Sequence, residues 1–140
     1  MLDFSNAFNS IFRHKMLQSV SKLSPSLYSY VHLAYSSLST LFWAAKLISS
    51  EEGIQQVDPL GPLLFCLSIH NLVERLKSEF HLFYLDDGIL GGDVPSLKED
   101  IELLTWEGAE LGLILNSGKS EVISPDSNTI HSIQTLLGLA

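Results

Sequence analysis

His81-Leu82-Phe83-Tyr84-Leu85-Asp86-Asp87-Gly88-Ile89-Leu90-Gly91-Gly92 sets two adjacent carboxylates between two short apolar runs. Leu82-Phe83-Tyr84 and Ile89-Leu90 have the length and composition of buried strands, and Asp87-Gly88 between them is a two-residue hairpin signal. The stretch therefore predicts a β-hairpin with acids at its tip. Two readings of those acids stand side by side. Asp and Gly are what a tight turn prefers, since Asp bonds its own backbone and Gly tolerates positive φ. Alternatively, Asp86 and Asp87 are ligands of a divalent cation such as Mg²⁺, which takes oxygen donors and usually one or two carboxylates together with substrate phosphates.

The surrounding chain, 140 residues with 46% apolar and 17% charged content, suits one globular domain with a real core. No apolar run approaches the roughly 18 residues of a bilayer span, and Met1-Leu2-Asp3 lacks the basic-then-apolar layout of a signal peptide. An intracellular protein without a membrane partner is predicted, with cytoplasm and nucleus not distinguished. Cys66, the one cysteine, lies in an apolar helical pattern and is expected to be a buried small hydrophobe. The histidines at 14, 32, 70, 81 and 131 have no metal-ligand spacing, which argues against zinc. Charge is uneven: residues 1–46 carry four bases against Asp3 alone, and residues 47–140 carry four bases against fifteen acids, for −8 overall. Such a balance is poor for gripping a phosphate backbone, because nucleic-acid affinity comes largely from Lys and Arg displacing counterions.

Along the chain, Phe8, Ile11, Phe12, Met16, Val20 and Leu23 recur at three- and four-residue steps, predicting one amphipathic helix over 7–23 with Arg13, Lys15 and Lys22 on its wet side. Ser24-Pro25 reads as a cap and first-turn proline, and Leu27, Tyr30, Val31, Ala34 and Tyr35 form the stripe of a second helix. Residues 38–49 read as a hairpin or one short helix, with the hairpin preferred, and the breakers between 51 and 62 predict a loop. Residues 63–80 carry Leu63, Leu64, Leu67, Leu72, Val73 and Leu76 at helical spacing. Ser96-x-x-Glu99 has the form of a capping box, Leu97, Ile101 and Leu104 the apolar face behind it, and Gly112 the place to end that helix. Leu113-Ile114-Leu115 and Glu121-Val122-Ile123 flank Asn116-Ser117-Gly118-Lys119, suggesting a second hairpin.

Four segments, in order, resemble the motifs of reverse transcriptases. Asp3-Phe4-Ser5-Asn6-Ala7-Phe8-Asn9 resembles the first catalytic motif, an acid followed five residues later by an aromatic. Residues 50–65, Ser-Glu-Glu-Gly-Ile-Gln-Gln-Val-Asp-Pro-Leu-Gly-Pro-Leu-Leu-Phe, resemble the second, and Tyr84-Leu85-Asp86-Asp87 resembles the Tyr-x-Asp-Asp box. Leu111 to Glu121 resembles the fourth, with Lys119 after a strand, and Leu137-Gly138 resembles the point where palm passes to thumb. The wording is most similar to the enzymes of non-LTR retrotransposons. The resemblance implies an α+β fold, the palm of the right-hand polymerases, with an antiparallel sheet backed by helices. Residues 1–140 would be a palm fragment, the motifs spanning 3–121 and the connection to the thumb starting over 125–140.

By the same resemblance, the activity is RNA-directed DNA polymerisation: a DNA primer on an RNA template is extended with deoxynucleotides, using two Mg²⁺ or Mn²⁺ ions. Asp3, Asp86 and Asp87 would be catalytic metal ligands, and Lys119 would protonate the leaving pyrophosphate. Phe8 would stack under the incoming sugar, with Gln56 and Tyr84 at the nucleotide or template. The bland alternatives are a core aromatic for Phe8, a loop amide for Gln56 and a solvated turn lysine for Lys119. Val57 stands where the family has glycine, a residue used for positive φ or close approach to a ligand. The strand carrying Asp3 is expected to be nearly absent, and basic fingers and a thumb to be missing partners. A non-catalytic remnant acting as an interaction domain is the competing reading. An unrelated acidic domain, the third, predicts no convergence of Asp3 with Asp86.

Overall fold

A computed structural model of the chain describes residues 1–37, 39–43, 46–50, 52–55 and 57–138, and of residues 39–43 and 46–50 the backbone alone. The elements run β1 (Leu2–Asp3), α1 (Ala7–Ser10), α2 (Arg13–Leu23), α3 (Pro25–Tyr35), β2 (Ser39–Trp43), β3 (Lys46–Ser50), α4 (Gly61–Val73), β4 (Phe80–Tyr84), β5 (Asp87–Gly91), α5 (Val94–Glu110) and α6 (Ser127–Leu137). A three-stranded antiparallel sheet in the order β1-β5-β4 makes the fold α+β, and β2 and β3 form a separate hairpin. No helix among the described residues is long and apolar enough to cross a membrane.

Strand alternation divides the sheet into two faces. Leu2, Phe4, Phe83, Gly88 and Leu90 turn inward, against a core that includes Met16, Val20, Val31, Leu64, Phe65, Ile69, Leu104 and Leu113. On the other face Phe80, Leu82, Tyr84 and Ile89 are exposed, so the hairpin strands are half-buried rather than enclosed as their composition suggested. The strand bearing Asp3 is short but present: Asp3 is registered with Asp87 and Leu2 with Gly88.

Several expectations shift by tertiary override. The hairpin turn is Leu85-Asp86, because Tyr84 pairs with Asp87, and Asp87-Gly88 opens β5. Gly88 is there for space: a Cβ would stand 2.6 Å from the Phe83 ring that crosses it. The predicted helix over 7–23 is two helices. At Ile11 and Phe12 the backbone is extended, with the Phe12 N–H donating to the Leu111 carbonyl (2.8 Å) and the Ile11 carbonyl accepting from the Gly53 N–H (2.9 Å). Arg13, assigned to the wet side, is 6% exposed and donates from Nε to the Gly53 carbonyl at 2.8 Å. Over 63–80 the helix stops at Val73, and turns carry the chain into β4.

Residues 38–49 do form the preferred hairpin where the chain is described, and α3 matches its predicted stripe with Val31 and Tyr35 buried. Tyr30, assigned to that stripe, is exposed, and so is Cys66, because α4 buries Leu64, Phe65, Ser68, Ile69 and Leu72 instead. The capping box does not form: α5 starts at Val94 with Asp93 as N-cap, and Ser96 falls inside the first turn. Its end is as read, with Leu111 as C-cap and Gly112 at φ 86, in the left-handed conformation that glycine adopts freely. The second hairpin is also absent. Its two flanks pair with residues 1–5 instead, through a Phe4–Leu115 bridge and reciprocal bonds between the Met1 and Glu121 backbones.

Candidate active site at the hairpin tip

Residues directly opposite in an antiparallel pair share a face, with Cβ atoms roughly 4.5–5.5 Å apart. The register Asp3↔Asp87 and Tyr84↔Asp87 therefore gathers Asp3, Asp87 and Tyr84 on the open face of the sheet, with Asp86 beside them in the turn. Leu85, which precedes Asp86, has φ 57, a left-handed conformation that costs a residue with a Cβ about 1–2 kcal/mol. Tyr84 is 77% exposed, so its ring is available to something outside the described core.

Asp3 is more enclosed than Asp87, which is exposed. Its side chain is 14% exposed, and Oδ2 is buried without a hydrogen-bond partner among the described residues. The nearest cation is Lys119, whose Nζ lies 3.9 Å from that oxygen. The chain between Leu115 and Glu121 bulges off the edge of β1 and is fastened to Asp3 itself. The Asn116 N–H donates to the Asp3 carbonyl (2.8 Å), the Asp3 N–H to Ser120 Oγ (3.4 Å), and Ser120 Oγ–H to the Asn116 carbonyl (2.8 Å). Ser120 is buried, and it is a residue that sequence reasoning passed over. No group of three or more His, Cys, Asp or Glu side chains among the described residues is clustered closely enough to hold a metal.

Phe8 is partly buried and stacked on Phe65 of α4, with ring centroids 4.8 Å apart and planes 13° from parallel, so its role as a core aromatic is met. Gln56 lies outside the described residues. Its neighbour Val57 is 98% exposed with φ 68. The valine therefore occupies a backbone conformation suited to the glycine it replaces.

The loop leading to Val57 is held by residues that carry no motif. Ile54 N–H donates to the Phe8 carbonyl (2.6 Å), the Leu60 N–H to Asp58 Oδ1 (2.8 Å), and the Tyr35 hydroxyl to Asp58 Oδ2. The Tyr35 oxygen accepts in turn from the Gln55 N–H at 3.2 Å, and the Arg13 guanidinium lies 5.5 Å over the Tyr35 ring. Burial first, then the hydrogen bond to Asp58, push the Tyr35 hydroxyl pKa up, so it remains a proton donor to the carboxylate.

A second anchor holds the hairpin from below. Asp100 of α5 is fully enclosed: Oδ1 accepts from the Lys77 N–H (2.8 Å), and Oδ2 accepts from the Ser78 N–H (2.8 Å) and the Ser78 hydroxyl. These bonds fix the chain just before β4. A sequence signal existed, since Asp100 falls on the apolar stripe three residues after Leu97 and beside Ile101.

The chain belongs to the reverse transcriptase (RNA-dependent DNA polymerase) family, whose pattern it matches over residues 1–136. It is 26% identical over 140 aligned residues to the "Retrovirus-related Pol polyprotein from type-1 retrotransposable element R2" of Bradysia coprophila, covering 89% of this chain. It is 32% identical over 142 aligned residues to the "Retrotransposable element SLACS 132 kDa protein" of Trypanosoma brucei gambiense, covering 92% of this chain. The alignments span 16% and 12% of those two proteins. Both are retrotransposon proteins, which bears out the resemblance read from the four motifs.

Proposed function

We propose that this domain is the palm of an RNA-directed DNA polymerase, which extends a DNA primer with deoxynucleotides on an RNA template. Residues 3–121 carry its motifs, and residues 125–140, including α6, begin the passage from palm to thumb. The observation that carries this reading is the Asp3↔Asp87 register at the tip of the Tyr84-Leu85-Asp86-Asp87 hairpin. The family match over residues 1–136 is what counts against an unrelated acidic domain.

The donor types match the metal that the family implies, although no three acids among the described residues stand close enough to hold an ion by themselves, and substrate phosphates would have to complete the shell. Asp3, Asp86 and Asp87 offer only carboxylate oxygens, the hard donors that Mg²⁺ and Mn²⁺ take, and Asp3 Oδ2 is enclosed without a hydrogen bond. Two ions bound there would polarise the attacking 3′-hydroxyl and stabilise the oxygen that leaves with pyrophosphate. The chain's own residues do the rest. Asp3 is held by a strand whose neighbouring side chains are core, so its carboxylate is a fixed point beside the turn that carries Asp86. Phe8 lies under the sugar of the incoming deoxynucleotide, Gln56 contacts the nucleotide or template base, and Tyr84 offers its exposed ring beside the acids. Lys119, on its pinned bulge, delivers a proton to the departing pyrophosphate.

One observation favours a second reading, that of a catalytically silent remnant serving as an interaction domain. Val57 is 98% exposed and holds a left-handed conformation, which is strained for a β-branched side chain, at the position where the family has glycine. Primer extension on an RNA template with Mn²⁺, comparing wild type, Val57→Gly and Val57→Gly/Asp86→Asn, separates the two. Extension that rises with glycine and vanishes with asparagine supports the polymerase. Silence from all three, with circular dichroism showing folded protein, refutes autonomous polymerisation and leaves the remnant.

A further inference from the structure

Lys119 has a second position to account for besides the proton donation proposed above. Its ammonium stands 3.9 Å from the one buried carboxylate oxygen of Asp3 that lacks a hydrogen bond. That proximity is built into the backbone. The bulge bearing Lys119 is bonded to Asp3 through both the Asp3 carbonyl and the Asp3 N–H, by way of Asn116 and the buried Ser120. The Met1–Glu121 pair then closes the far side of the bulge. The side chain itself is 72% exposed, so the lysine can swing away from Asp3 without disturbing the core.

We propose that Lys119 is the standing counter-ion of Asp3, its ammonium sitting at the place of a divalent cation while the site is empty and yielding it when the cation enters. This inference rests on the metal-site reading of Asp3 and Asp86. A buried carboxylate oxygen without a hydrogen bond lacks the interactions it had in water and favours a nearby cation. The lysine supplies that cation, at the expense of competing with the metal. At 3.9 Å and largely exposed, the pair is a weak one, easily displaced by a doubly charged ion. Release of Lys119 on metal entry would also free the ammonium for the pyrophosphate, which links loading of the site to arming of the proton donor.

The test measures binding of Mn²⁺ alone to the full chain by electron paramagnetic resonance, with no nucleotide or primer present. The variants are Lys119→Gln, Asp86→Asn and Lys98→Gln, the last removing a charge from α5 outside the site. Lys119→Gln should tighten the Asp86-dependent Mn²⁺ site by about two- to five-fold, the worth of an exposed ion pair. Lys98→Gln should leave it unchanged. Lys119→Gln binding no tighter than wild type, or gaining no more than Lys98→Gln, overturns the counter-ion assignment while Asp86→Asn still weakens binding. Asp86→Asn binding Mn²⁺ as wild type does overturns the metal-site reading and takes the assignment of Lys119 with it.

Discussion

Asp100→Ala should cost this fold about 2–4 kcal/mol, although the residue carries no recognisable motif. The substitution removes the acceptor of the Lys77 and Ser78 N–H groups, both at 2.8 Å, from a site 1% exposed. Each buried N–H left without a partner costs roughly 1–3 kcal/mol, and the void left by the carboxylate adds to this. Relief from burying a charge returns part of it. Against a total stability of roughly 5–15 kcal/mol, the loss is large. Asp100→Asn keeps one acceptor oxygen but must turn its amide towards one of the two donors, so about half the loss is expected. Urea unfolding followed by circular dichroism gives both numbers, and hydrogen exchange at the Lys77 and Ser78 amides localises the damage. Alanine and asparagine variants that unfold within about 0.5 kcal/mol of wild type would refute the reasoning, because the two N–H groups would then have found other partners.

Two further outcomes follow from the backbone at Val57 and the cap of α6. Val57→Gly should raise the melting temperature by about 2–4 °C: relief of about 1–2 kcal/mol of left-handed strain exceeds the roughly 0.5–1 kcal/mol of added chain entropy in the unfolded state. Differential scanning calorimetry reads this, and a fall would show that the valine is not strained. The Asp126 carboxyl is held below its usual pKa by the Thr129 hydroxyl, then by the Thr129 and Asn128 N–H groups at the start of α6. Its pKa is thus lower folded than unfolded, so its contribution is complete above the unfolded value of about 4 and is lost as pH falls through the folded one. Helical circular dichroism of wild type and Asp126→Ala should differ at neutral pH and converge in acid; a gap independent of pH would remove the carboxylate from the explanation.

What could be read from the sequence was what is local. The hairpin around Asp86, helix α3 behind its Ser-Pro start, and the Gly112 stop of α5 all rest on neighbours within a few residues, and each is found. The acids at the tip were legible as residue types, whereas their pairing across the register was an implication of the family alone. The failures share one cause, in that the competing partner lay far along the chain. Arg13 left the wet face because the Gly53 carbonyl waits 40 residues on, and the helix over 7–23 broke because Leu111 and Gly53 take the backbone groups of Phe12 and Ile11. The second hairpin was lost to the edge of β1, which sits more than a hundred residues upstream. Gly88 looked like a turn residue because a sequence does not show the Phe83 ring that needs its space.

The alternation along residues 2–4 has a consequence for anyone preparing this protein. Leu2 and Phe4 are buried while Asp3, between them, points to the open face. A slip of one residue against β5 would carry the acid into the core and strip two apolar side chains out of it, so no near-miss of this strand keeps either half intact. Errors in assembly and errors in the site are therefore one event. Burial of Leu2 and Phe4 and placement of Asp3 on the open face are gained or lost together, so any probe of where Asp3 stands doubles as a census of chains whose first strand is in register.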